Sequence, residues 1–216
     1  MLMMLPFLSG ALAVWFGILG KRRPCFALWL VTLAVFAVGA HRYMTGPCPC
    51  RWRSESAMIF LRNPGRGSRI VNTLVLLAVS LLLLSALAWQ WLDAEAPCPL
   101  CLLQRAALVL IGVGLLLNVR MGPSPLHYAM VLAPALGGLT AAGWQLLSPD
   151  AGAAAPPWQG WAFLLFGAML VYCTLMLAAD RKWGDNALKK PVALPGALVM
   201  GLFLVAVLAN AAGTAL

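Results

Sequence analysis

Charge is what this chain has least of. Only 10% of its 216 residues are charged, six of them acidic, and it holds two histidines. Soluble domains carry about a quarter charged residues, so this composition, 62% hydrophobic, excludes that class and implies an integral membrane protein. No Ser–His–acid grouping, phosphate-binding loop or carboxylate pair stands out, so hydrolysis and phosphoryl transfer find no support. Six cysteines are few for a disulfide scaffold, yet many for a plain helical bundle. Against the shortage of acids stand 15 Lys and Arg, a net charge of +9. They cluster in short loops between uncharged runs, which is a membrane-topology signal and not a nucleic-acid footprint.

The uncharged runs divide the chain. Residues 1–20 carry no charge and are followed by Lys21-Arg22-Arg23. A signal peptide has its positive region before the apolar run, and no small-x-small cleavage site follows, so 2–19 is expected to be a first membrane helix. Residues 26–40, prolonged by His41-Arg42-Tyr43-Met44, form a second run, short enough to be tilted, interfacial or re-entrant. A basic, turn-rich stretch follows, with Cys48-Pro49-Cys50, Arg51, Arg53, Arg62, Asn63-Pro64-Gly65, Arg66 and Arg69. Four full spans are then expected at about 70–92, 100–119, 126–147 and 158–179, and a final apolar segment at about 192–216. The fold class is therefore an all-α integral membrane protein. Its core is an antiparallel four-helix transmembrane bundle, with one or two extra N-terminal helices and one C-terminal helix. The expected division is 1–57, an N-terminal hydrophobic hairpin and basic loop; 58–190, the bundle; and 191–216, the last helix.

Loops 51–69, the loop at Arg120 and loop 181–190 are basic, whereas 93–97 and 148–157 hold no Lys or Arg. The basic loops therefore face inside and the 93–97 side faces out. Lys21-Arg22-Arg23 falls on the wrong side if the second run truly spans, so that run is either re-entrant or an exception.

On the outer side lies Ala96-Pro97-Cys98-Pro99-Leu100-Cys101-Leu102-Leu103-Gln104-Arg105. Pro99 suits the first turn of a helix, where a missing N–H costs nothing. Cys101 then lies in that turn, where free N–H groups and the positive helix end favour a thiolate. Arg105, four residues on, shares its face and stays charged in any environment. One thiolate, one partner thiol and one fixed cation at a membrane surface make an electron-transfer site.

The nonapeptide Pro97–Arg105 between two spans, followed by two more, resembles the DsbB family of bacterial membrane thiol oxidases over about residues 68–182. Pro123-Ser124-Pro125-Leu126 and Gln145 add to the likeness. The resemblance implies a multi-pass protein of the bacterial inner membrane with its redox motif facing the periplasm. It implies reoxidation of a DsbA-like thioredoxin-fold partner and transfer of electrons to a membrane quinone, ubiquinone or menaquinone. By position, Cys101 faces the quinone, Cys98 exchanges with other thiols, and Arg105, with Gln104 beside it, lies on the cofactor side. Typical members hold a second cysteine pair in the outer loop between the third and fourth spans; here 148–158 has none. Either Cys98 meets the partner directly or another cysteine replaces the pair. Residues 1–57 resemble small two-helix membrane proteins of uncharacterised function.

Three further readings stay open. Cys98/Cys101 with Cys48/Cys50 is a possible zinc set, and thiolates with ten methionines suit Cu(I), though no Met-x-x-Met cluster lies beside Cys98. An accessory or assembly subunit without its own chemistry is the third. A c-type haem is excluded because Leu102, not histidine, follows the second cysteine. Cys48 and Cys50 are expected to be reduced loop thiols, Cys25 and Cys173 buried hydrophobes, and His41 and His127 interfacial polar residues.

Overall fold

The computed structural model describes residues 5–43, 66–93, 98–122, 124–147, 159–183 and 194–213. Seven helices occupy them: α1 (Leu5–Ile18), α2 (Arg22–Tyr43), α3 (Arg66–Asp93), α4 (Pro99–Met121), α5 (Pro125–Leu147), α6 (Gln159–Trp183) and α7 (Leu194–Gly213). Helix is the form that satisfies every backbone group within one apolar run, and the described residues contain no strand. Helices α3 to α7 are each long and apolar enough to cross a membrane. At 14 residues, α1 is about 21 Å long, short of the ~30 Å hydrocarbon core.

Helix α4 is the centre of the assembly, buried without a break from Ala106 to Val119. Its neighbours include α1, α2, α3, α5 and α7. Gly10 and Gly17 of α1 let its backbone approach Val109 and Leu116 of α4, so the two helices run in the same direction. Thr32 Oγ1 of α2 donates to Ser9 Oγ of α1 at 2.8 Å, and Trp29 Nε1 donates to Leu110 O at 3.3 Å. The N-terminal hairpin is thus packed into the bundle. Helix α7 lies along α3, with Asn210 Nδ2 donating to Leu83 O at 3.1 Å and the Phe203 ring seated over Gly112.

These contacts orient the hairpin. Arg120 Nε donates to Ile18 O at 3.1 Å, and Gly20, with φ of +77°, makes the turn beside the Arg120 guanidinium. A positive φ suits glycine because it lacks a Cβ. Lys21-Arg22-Arg23 therefore lies at the Arg120 end of the bundle, the same end as Arg69, and not at the Cys98 end. This corrects the wrong-side placement of that cluster. Helix α2 runs back toward the Cys98 end, whereas α3 begins at the Arg120 end; α2 is one continuous helix and not a re-entrant turn.

At the Arg120 end a buried polar cluster joins α3, α4, α5 and α6. Asn72 Nδ2 donates to Ser68 O (2.7 Å) and Tyr128 OH (3.2 Å), while its Oδ1 accepts from Asn118 Nδ2 (3.2 Å) and Tyr172 OH (3.1 Å). Tyr128 OH donates to Asp180 Oδ2 at 2.8 Å. His127 is 2% exposed, with Nδ1 3.2 Å from both Asn118 Oδ1 and Gly122 O. It is a buried member of this cluster, not the interfacial residue expected from its place near a span end. Two acceptors at Nδ1 select the tautomer with the proton there. Asn72→Leu keeps the branched shape but strands partners on three helices. Its expected cost is about 0.5–2 kcal/mol, read as a lower unfolding midpoint in a detergent titration.

Candidate functional site

Helix α4 starts at Pro99, as the proline requires, with Cys98 as its N-cap in extended geometry (φ −62°, ψ 146°). Cys98 and Cys101 are joined as a disulfide with a Cα–Cα separation of 5.2 Å. Both are half-buried. The Cys101 backbone N–H donates to Cys98 Sγ at 3.1 Å. The helix end thus meets Cys98 Sγ directly, while Cys101 stands within the first turn. A sulfur at the N-cap occupies the place in which serine or aspartate oxygens accept from the first turn.

One turn deeper, the half-buried Arg105 reaches across to α3. Its Nη2 donates to Ala86 O at 2.7 Å and its Nη1 to Gln90 Oε1. Gln90 Nε2 in turn donates to Gly213 O of α7 at 3.2 Å. Arg105 is therefore anchored inside the protein and is not a side chain extended toward headgroups. A guanidinium has five N–H donors. These two bonds leave others to meet a carbonyl oxygen, so the residue suits a quinone.

Gln104 faces the other way. Its Nε2 donates to Gln145 Oε1 of α5 at 3.0 Å, and Gln145 Nε2 lies 3.9 Å from Cys98 Sγ. The structure thus brings Cys98, Cys101, Gln104 and Arg105 to one end of α4 but sends the last two to different neighbours. Gln145, a minor part of the sequence likeness, joins the cysteines. Gln90 was missed: it is an amide in an otherwise apolar stretch late in α3, a signal that periodicity does not single out.

Cys25 and Cys173 are free and fully buried, in keeping with small core residues. Cys48 and Cys50, and the cysteine-free stretch 148–158, lie outside the described residues. Tyr43, the last described residue before the Cys-Pro-Cys pair, ends α2 at the Cys98 end.

Two family models match the chain: "Disulfide bond formation protein DsbB" over residues 68–149, and a family of unknown function (DUF5993) over residues 3–39. Among curated proteins, the chain is similar to disulfide bond formation protein B of Nitrosomonas eutropha. They are 36% identical over 90 residues, covering 38% of this chain and 56% of that one. It is 32% identical over 91 residues to the protein of that name from Cupriavidus metallidurans, covering 40% and 56%. It is 42% identical over 86 residues to disulfide bond formation protein B 1 of Pseudomonas savastanoi pv. phaseolicola, covering 36% and 50%. The chain spans about half the length of the curated relatives it matches. No solved structure matches it.

Proposed function

We propose that this chain, whose residues 68–149 match the DsbB family model, is a thiol oxidase of that family that takes electrons from a DsbA-like thioredoxin-fold partner and passes them to a membrane quinone. The observation that carries this reading is the Cys98–Cys101 disulfide at the mouth of α4, one turn from an internally anchored arginine.

The partner's thiolate attacks Cys98 Sγ, the Cys98–Cys101 bond breaks, and Cys101 leaves as a thiolate. The partner's second thiol then attacks the mixed disulfide, so the partner is oxidised and Cys98 released. Exchange of this kind runs through the thiolate and depends on how well the leaving sulfur carries charge. The first turn of α4 and Arg105 supply positive potential for the Cys101 thiolate. A quinone, when bound, would supply the two-electron, two-proton oxidant that restores the disulfide. Arg105 would hold it through a carbonyl oxygen, and Gln104 keeps Gln145 beside Cys98. Residues 1–57, 58–190 and 191–216 are proposed as hairpin, oxidase bundle and added helix.

The test is purified protein in nanodiscs with a reduced thioredoxin-fold dithiol protein and a soluble ubiquinone analogue. The expected result is loss of quinone absorbance with matching loss of partner thiols. Thiol exchange without quinone reduction, or neither, would leave an accessory role.

For location, we propose the inner membrane, with Cys98 and Cys101 facing the periplasm and Arg120 and Arg181 the cytoplasm. The shared end of Lys21, Arg22, Arg23, Arg69 and Arg120 supports it through the positive-inside rule. In a chain lacking native cysteines, an impermeant maleimide is expected to label Leu147→Cys in intact spheroplasts and to spare Lys21→Cys. The reverse pattern would invert the orientation.

A further inference from the structure

We propose that the C-terminal turn of α7 is a positioning element for Arg105, acting through Gln90. This rests on the reading of Arg105 as a quinone-binding residue, and it concerns a helix beyond the 68–149 segment matched to the family.

The last four carbonyls of a helix have no partner within it. Gly213 O is one of these in α7, and Gln90 Nε2 meets it at 3.2 Å. That bond decides which way round the Gln90 amide lies. With Nε2 committed to a carbonyl, Oε1 faces the Arg105 Nη1 donor. A flipped amide would set its N–H groups against the guanidinium and its oxygen against Gly213 O, which loses both bonds. The α7 carbonyl thus selects the one amide orientation that accepts from Arg105. Ala86 O takes Nη2, so two acceptors on one face of α3 fix the plane of the guanidinium.

The approach of α7 is built for this. A Cβ on Gly213 would lie 2.5 Å from Leu87 Cδ1, and Leu87 is 4% exposed, so a side chain there requires either Leu87 or the last turn of α7 to shift. One turn earlier, Asn210 Nδ2 holds Leu83 O at 3.1 Å, which fixes the register between α7 and α3. The partial negative charge of the α7 C-terminus is thereby placed behind the arginine.

The experiment uses the full chain in nanodiscs and three variants: Gln90→Leu, Gly213→Val and the double variant. Two rates are read in each: quinone reduction across quinone concentrations, and quinone-free exchange with the reduced dithiol partner. Gln90→Leu is expected to raise the quinone KM about ten-fold with the exchange rate unchanged, the size expected for losing one hydrogen bond to a charged group. Gly213→Val is expected to raise it less, and the double variant no more than Gln90→Leu alone, because both act on one link. Additive effects, or equal slowing of exchange, would mark general loosening and overturn the proposal. If Gly213→Val does not fold, Gly213→Ala takes its place under the same criteria. Wild-type protein that reduces quinone, with KM unchanged in every variant, defeats the α7 proposal alone. Wild-type protein that does not reduce quinone defeats the oxidase reading, and this proposal with it.

Discussion

Cys101→Ser is expected to reduce dithiol-dependent quinone reduction to background, while Cys98 still captures the partner in a mixed disulfide. Serine keeps the size and the helix start but cannot form the disulfide. Of the pair, the oxidant-treated variant retains Cys98 Sγ, held at the N-cap by the backbone N–H of residue 101, 3.1 Å away in the parent chain. With a partner whose second cysteine is replaced by serine, so that nothing resolves the mixed disulfide, a covalent adduct is expected on a non-reducing gel, released by dithiothreitol. Cys98→Ser should also abolish turnover but give a different picture. Its remaining thiol lies inside the first turn of α4, so adduct formation is expected to be weaker. The two sulfurs are thereby distinguished by position and not by chemistry alone. If both variants turn over quinone normally, the Cys98–Cys101 pair is not the redox centre. Equal adduct yields from the two variants would remove the division of roles between them.

Much of this arrangement is legible in the residues themselves. Apolar runs of about 20 residues, that of α4 interrupted by Arg105, define helices α3 to α7 to within a few positions, because the bilayer demands that length. Pro99 marks the start of α4, since proline fits a first turn, where its missing N–H costs nothing. What the sequence does not display is which helices are neighbours. Membrane helices are apolar all round, so no hydrophobic stripe points toward a partner. Gln90 and Gly213 meet across 123 positions, and nothing in either local sequence announces it. The same holds for the hairpin: its charges suggested a topological conflict, which the Arg120–Ile18 bond resolves by placing the α1–α2 turn at the basic end. The role of Cys98 as N-cap was missed for a different reason. Spacing gives the turn in which a residue lies but not which side chain turns back to meet the free N–H.

Arg105→Ala is the second large effect expected. The disulfide should still form, because none of the hydrogen bonds that hold the first turn of α4 involves the guanidinium. Exchange with the dithiol partner should therefore persist. Quinone reduction should fall about 10–100-fold at low quinone, the size expected for loss of a charge-assisted hydrogen bond. If the arginine serves binding alone, the loss lies in KM; if it also stabilises charge on the oxygen as electrons arrive, kcat falls with it. Removal also leaves Ala86 O and Gln90 Oε1 without their donor, so a thermal scan must show the fold intact before the kinetics are compared. Arg105→Lys separates charge from geometry. An ammonium keeps the charge but cannot reach two acceptors on α3 and a third oxygen in one plane. Partial recovery is therefore expected, with kcat restored more than KM. Full recovery would show that charge alone matters, and wild-type quinone use by Arg105→Ala would reduce the residue to a structural tie between α4 and α3.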